Sequence, residues 1–140
     1  MLRIGILGAA GIAPAAVILP ARRSADAEVV AVASRGGAEE YARTHGIGRS
    51  HGSYAALVGD PEVDVVYNAL PPSLHAEWTI AALEAGKDVL CEKPFTMTAA
   101  EASRVVAVAE QTGKRVVEAF HDYYHPVSYT HLTLPTNREV

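Results

Sequence analysis

Ile4-Gly-Ile-Leu-Gly-Ala-Ala-Gly-Ile-Ala13 decides the fold, because a short apolar run meets a cluster of glycine and alanine there. Leu2, Ile4, Ile6 and Leu7 form a run too short for a helix and suited to a buried parallel strand. Gly8 permits a sharp turn, Ala10 and Gly11 keep its floor bare, and Ala13 lets a following helix lie close to the strand. Unpaired N–H groups at such a turn suit an anion, and a diphosphate fits. Gly8-x-Ala10-x-x-Ala13 is a G-x-G-x-x-G variant with two alanines, and an ordinary strand-to-helix turn is the other reading. The context favours a dinucleotide. A helix runs on through Val17 and Leu19, with Pro14 tolerated in its first turn. A second apolar run, Val29-Val-Ala-Val-Ala33, arrives about twenty residues after the turn, the distance of a βαβ unit.

A chain of 140 residues suffices for one domain with a real core. Its 49% hydrophobic and 20% charged content is that of a globular protein and not of a disordered one. A net charge of −4 offers no basic footprint for nucleic acid or an anionic membrane surface. Cys91 is the single cysteine, so no internal disulfide forms and a reducing compartment fits. No apolar run reaches the length of a membrane span, and the first strand follows Met1 directly, so no secretory leader is expected. A cytoplasmic location is the expectation that remains.

Further along, a helix over 38–45 stopped by Gly46, a short strand near 49–51 and a helix over 53–58 ended by Gly59-Asp60-Pro61 are predicted. Val63 to Leu70 reads as a buried strand that Pro71-Pro72 must stop. Ser73 is expected to cap a helix with Leu74, Trp78, Ala81, Ala82 and Ala85 on one face, ended by Gly86. Asp88 to Cys91 is the next strand. Thr98-Ala-Ala-Glu101 is a capping box, with Ala102, Val105, Val106 and Ala109 on the inner face of its helix. Arg115 to Phe120 is a last strand. The alternation predicts an α/β domain over residues 1–120, a doubly wound parallel sheet of Rossmann type with strand order 3-2-1-4-5-6.

Ligands of such sheets sit beyond the carboxyl ends of the strands. After the second strand, Ser34 and Arg35 stand where an NAD site would place an acid. They suit a 2′-phosphate, so NADP is favoured over NAD, although a solvated Arg35 is the bland alternative. After the fourth strand, Leu70-Pro71 and His75 lie where a nicotinamide belongs. His75 either touches the ligand or serves as a structural hydrogen-bonder. After the fifth come Glu92, Lys93 and Pro94. A charged pair ending a buried strand must pair or serve a ligand. Lys93 can supply a proton or a positive charge to a hydroxyl whose carbon gives hydride to the nicotinamide, or it forms a surface ion pair with Glu92. Gly8, Ala10, Gly11 and Ile12 complete the cofactor candidates. His121, Asp122, His125 and His131 match no zinc spacing, and no metal site is assigned.

Gly8-Ala-Ala-Gly-Ile-Ala13, Val65-Val-Tyr-Asn-Ala-Leu-Pro71 with Ser73-Leu-His75, Cys91-Glu-Lys-Pro-Phe95 and Glu118-Ala-Phe120 resemble one family. It is the glucose-fructose oxidoreductase, inositol dehydrogenase and rhizopine catabolism (Gfo/Idh/MocA) oxidoreductases, and the likeness covers residues 1–126. It is greatest to the dihydrodiol and xylose dehydrogenases. The resemblance implies NAD(P)-dependent oxidation of a sugar, polyol or diol, with Lys93 as the catalytic lysine and a Lys93-Pro94 bond that is often cis. Pro72 stands where the family usually has Asn, and Asp122-Tyr123 where it has Tyr-Arg.

The resemblance also implies a second α/β domain that forms the sugar pocket, supplies an Asp and a His to catalysis and pairs subunits into homo-oligomers. That domain is missing from this sequence. Residues 121–126 would begin the connection to it. Val127-Ser-Tyr-Thr-His-Leu-Thr-Leu-Pro-Thr136 resembles a translated transposase-based sequencing adapter, so residues 127–140 are expected to be a non-native tail. The expectation is a truncated oxidoreductase that binds NADP weakly without turnover. A non-catalytic dinucleotide-sensing module of the same family and a methyltransferase-like domain are the alternatives. Lys93 speaks against the first and Ser34-Arg35 against the second.

Overall fold

A computed structural model describes residues 1–120. Expectations that fall on 121–140, among them the connection, the adapter-like tail and the histidines at 121, 125 and 131, lie outside the described residues.

Six parallel strands form one sheet in the order β3-β2-β1-β4-β5-β6. They are β1 (Leu2–Leu7), β2 (Ala27–Ala33), β3 (Arg49–His51), β4 (Val65–Asn68), β5 (Asp88–Cys91) and β6 (Val116–Glu118). The glycine-rich strand β1 is central, paired with β2 on one side and β4 on the other. Ile6 and Leu7 are fully buried on its opposite faces, whereas Leu2 at its entrance is 49% exposed. On one face α3 (Tyr54–Val58), α4 (His75–Glu84) and α5 (Ala99–Thr112) cover Leu7, Ala31, Val66, Val89 and Cys91. On the other, Val17, Ile18 and Ala42 close over Ile6, Val32 and Tyr67. Gly5 lets α3 approach: a Cβ there would lie 2.9 Å from Leu57 Cδ2 and 3.0 Å from Val63.

The helix after the first turn departs from regular geometry. It opens as a π-turn over Pro14–Ile18 and continues as α1 (Leu19–Arg22). Pro20 has no N–H for an ordinary helical bond, and Leu19 N–H reaches back five residues to the Pro14 carbonyl. Ser73 does not cap α4. Pro72–Leu74 form a 3-10 turn in which Leu74 N–H bonds the Pro71 carbonyl at 2.9 Å, and α4 starts only at His75.

The buried face of α4 is wider than the expected one: Leu74, Trp78 and Ala81 pack against the core and Ala82 is fully buried as expected, but His75, Ala76, Thr79 and Leu83 are buried beside them and Ala85 is exposed. The cause is polar. Asn68 Nδ2 donates to Thr79 Oγ1 and to the His75 carbonyl, both at 3.1 Å, and the His75 ring lies between the Leu70 and Pro94 carbonyls, so these residues are satisfied inside. On α5, Val105 is buried while Val106 is 47% exposed, and Val108 packs instead. The Thr98–Glu101 capping box forms as expected. Among the described residues no helix is long and apolar enough to cross a membrane.

Candidate functional site

Beyond the carboxyl end of β1 the chain turns at Gly8 with φ +94°, a value that favours glycine. A Cβ at Gly8 would come within 3.1 Å of the Ala69 carbonyl oxygen, so the turn also presses against the end of β4. Nothing lies within 4 Å of the corresponding position on Gly11. Ala13 is fully buried where the next helix begins. The Ala13 N–H is taken by the Ala10 carbonyl, but the N–H groups of Ala10, Gly11 and Ile12 meet no acceptor among the described residues. The turn is thus an open cradle of backbone donors, the donor set an oxyanion needs.

Beyond β2, Arg35 is exposed, and its guanidinium makes no hydrogen bond or ion pair among the described residues. The Ser34 hydroxyl is engaged locally, donating to the Gly36 carbonyl at 2.8 Å. It shapes the turn that presents Arg35.

Between the ends of β1, β4 and β5 lies a groove of about 310 Å³ lined by Ile12, Ala69, Leu70, Glu92 and Lys93. It joins the phosphate-type turn to the Glu-Lys-Pro corner. Glu92 is buried and accepts the Tyr67 hydroxyl at 2.5 Å through Oε1, while Oε2 accepts the Lys93 N–H at 3.2 Å. Burial, and then the Glu92 carboxylate, push the Tyr67 hydroxyl well above its ordinary value, so it stays protonated and donates. The exposed Lys93 ammonium has no ion-pair partner among the described residues. The surface ion pair with Glu92 does not form. The Lys93-Pro94 peptide is cis. Burial pushes the Cys91 thiol up to about 11, leaving it protonated and unreactive beneath the corner.

Two expected ligand contacts are placed otherwise. Pro71 is exposed at the start of the 3-10 turn and does not line the groove. His75 is 1% exposed with both ring nitrogens on backbone carbonyls, which is the structural alternative.

Sequence reasoning missed three tyrosine and amide roles: Tyr67 on Glu92, Asn68 beneath His75, and Tyr41, whose hydroxyl donates to the Ala10 carbonyl at 2.9 Å. Tyr41 draws that carbonyl away from the open donors. No local spacing signals any of these, since the partners stand 25, 7 and 31 residues apart. A larger cavity of about 390 Å³ lies at the amino ends of β1 and β2, lined by Met1, Arg22, Glu28 and His45 among others. Ligands of open parallel sheets bind at the opposite edge, which favours the smaller groove. Among the described residues no group of three or more His, Cys, Asp or Glu side chains could hold a metal.

Residues 2–120 match the model of the Gfo/Idh/MocA oxidoreductase family, NAD-binding Rossmann fold. The chain belongs to this family. It is 47% identical over 129 residues to an uncharacterised oxidoreductase of Rhizobium meliloti, covering 90% of this chain and 38% of the relative. It is 44% identical over 126 residues to the D-xylose 1-dehydrogenase (NADP(+)) 2 of Haloferax volcanii, covering 89% and 38% respectively. A crystal structure of a 3-ketoreductase from Actinomadura kijaniata, in complex with NADP and TDP-benzene, superposes with a TM-score of 0.87 at 38% identity. That match covers 93% of this chain and 40% of the reductase. The chain therefore spans about 38% of the length of these curated relatives.

Proposed function

We propose that this chain is the NADP-binding domain of an oxidoreductase that passes hydride between the carbinol carbon of a sugar, polyol or diol and the nicotinamide. The observation that carries this reading is the groove in which Ile12 of the open turn, Leu70, Glu92 and Lys93 meet. The N–H groups of Ala10, Gly11 and Ile12 grip the diphosphate, and Arg35 meets the 2′-phosphate by charge-assisted hydrogen bonding. Leu70 and Glu92 wall the nicotinamide end. A bound nicotinamide supplies the hydride acceptor or donor. Lys93 lines the same groove from its exposed side, where in reduction its ammonium gives a proton to the substrate oxygen and in oxidation its neutral amine takes the hydroxyl's proton. Glu92 is kept from closing on that ammonium by its bond to Tyr67.

The relatives named for NADP and the reductase holding NADP support the choice of cofactor. Substrate selection, the remaining catalytic groups and subunit pairing are assigned to a second domain beyond the matched 38% of the relatives. Titrating the chain with NADPH and NADH, with intrinsic fluorescence as readout, tests the reading. Tighter binding of NADPH is expected, falling about tenfold with Arg35→Ala while NADH is unaffected. Equal affinity for both, unchanged by the substitution, removes the phosphate-reading arginine.

A further inference from the structure

His75 sits at the start of α4, buried between the segment after β4 and the segment after β5. Its Nδ1 is 2.8 Å from the Pro94 carbonyl oxygen and its Nε2 is 2.7 Å from the Leu70 carbonyl oxygen. A carbonyl oxygen only accepts, so each contact is a hydrogen bond only where the facing nitrogen carries a proton. Every form of the ring carries at least one such proton, so it is bonded to at least one of the two carbonyls and packed against the other.

We propose that His75 is a positioning residue whose ring, lodged between these two carbonyls, spaces the Leu70 wall of the groove from the corner carrying Lys93. Leu70 and Lys93 line the same groove, and Pro94 follows Lys93 directly, so the ring sets the separation of the two walls. That consequence for the ligand rests on the groove being the nicotinamide site; the two contacts themselves do not.

The seat of the ring is built. Asn68 Nδ2 donates to the His75 carbonyl, and Asn68 Oδ1 accepts the Leu70 N–H at 3.4 Å, so the backbone that carries the ring and the Leu70 end of the tie hang on one buried amide. Titratable groups on the elements around it are committed elsewhere. Glu92 accepts Tyr67, Glu118 of β6 accepts the Phe95 N–H at 2.9 Å, and Glu101 of α5 closes its capping box. The Cys91 thiol is hydrogen-bonded to the Glu92 and Phe95 carbonyls, and Glu77 on α4 and the neighbouring Lys93 are exposed. Among the described residues no carboxylate bonds the ring, so the backbone carbonyls of the two walls are the partners of its nitrogens.

Labelling the histidines of the 140-residue chain with 15N reads the ring directly. A slowly exchanging His75 ring N–H proton, shielded from solvent by the carbonyl that accepts it, is expected, assigned by its loss in His75→Gln. A ring whose N–H protons all exchange as fast as those of an exposed histidine overturns the proposal. Amide exchange reads the positioning. The Lys93 and Phe95 amides are expected to exchange about fivefold faster in His75→Gln, the worth of one net hydrogen bond. The β1 amides should not change. Uniform acceleration, or none, overturns the role. Should that variant not fold, the unsubstituted chain, labelled with 13C as well, still tests the tie: a coupling through the hydrogen bond from a His75 ring nitrogen to the Leu70 or Pro94 carbonyl carbon is expected, and its absence overturns the role. If these results hold and NADPH does not bind, the tie stands and the cofactor reading falls.

Discussion

The turn at residues 8–13 and the corner at residues 92–95 face each other across one groove and are made in opposite ways. The turn works by leaving side chains out: Gly8 admits an otherwise strained backbone, a Cβ on Gly11 would meet nothing within 4 Å, and among the described residues one distant side chain, Tyr41, hydrogen-bonds it. The corner works by bringing side chains in. Tyr67, His75 and Glu118 each bond one of its residues from 19 to 25 positions away. A site built by omission shows in the sequence, because the omission is local. A site built by convergence does not.

The comparison breaks most visibly at Gly8. Gly8→Val forces a β-branched residue to φ +94° and drives its Cβ toward the Ala69 carbonyl. A loss of about 3 kcal/mol in urea unfolding is expected, together with abolished NADPH binding. A fully stable variant that still binds would show the turn to be ordinary.

At the corner the effect is smaller, because one bond of several is lost. Tyr67→Phe keeps the ring but strips Glu92 of its shortest partner, and a cost of about 2 kcal/mol in the same measurement is expected. No change would mean that the carboxylate finds another donor.

A control outside both regions sharpens the contrast. Thr98→Ala removes the side-chain half of the α5 capping box and should cost about 1 kcal/mol while NADPH affinity stays the same. Altered affinity would mean that α5 communicates with the groove.

The smallest effect is in acid. Burial by itself would raise the Asp60 carboxyl, but the Glu62 N–H, His51 and Arg49 overcome it and hold the group below its ordinary value of 3.8. The stability it contributes is therefore present above about pH 4 and fades as pH falls through the lowered value. Because Arg49 is 40% exposed, solvent screens the pair, and a few tenths of a kcal/mol are expected. Urea midpoints compared at neutral and acid pH should differ less in Asp60→Asn than in the unsubstituted chain.

The same distinction explains what the sequence disclosed of the whole fold. Strand order, the parallel sheet and the Thr98–Glu101 cap were legible because each rests on a contiguous apolar run or a three-residue spacing. The polar part of the α4 face was not: His75 and Thr79 look outward-facing by polarity, and it is the Leu70 and Pro94 carbonyls for the His75 ring and Asn68, eleven residues earlier, for Thr79 that make them tolerable inside. Ser73 failed as a cap because Pro71-Pro72 impose a 3-10 turn before the helix begins. At the site, Gly8, Lys93 and Arg35 could be named from the sequence. The ties of Tyr41, Tyr67 and His75 could not, since nothing local to those residues differs from a core aromatic.

The central claim is that one dinucleotide lies across the carboxyl edge, from the bare turn to the lysine corner. Amide shift mapping of the 15N-labelled chain during NADPH titration tests it most directly. The account predicts saturable shifts at residues 8–12, at Ser34 and Arg35, and at Leu70 and Lys93. Shifts confined to the cavity at the amino ends of β1 and β2, around Arg22, Glu28 and His45, would contradict it.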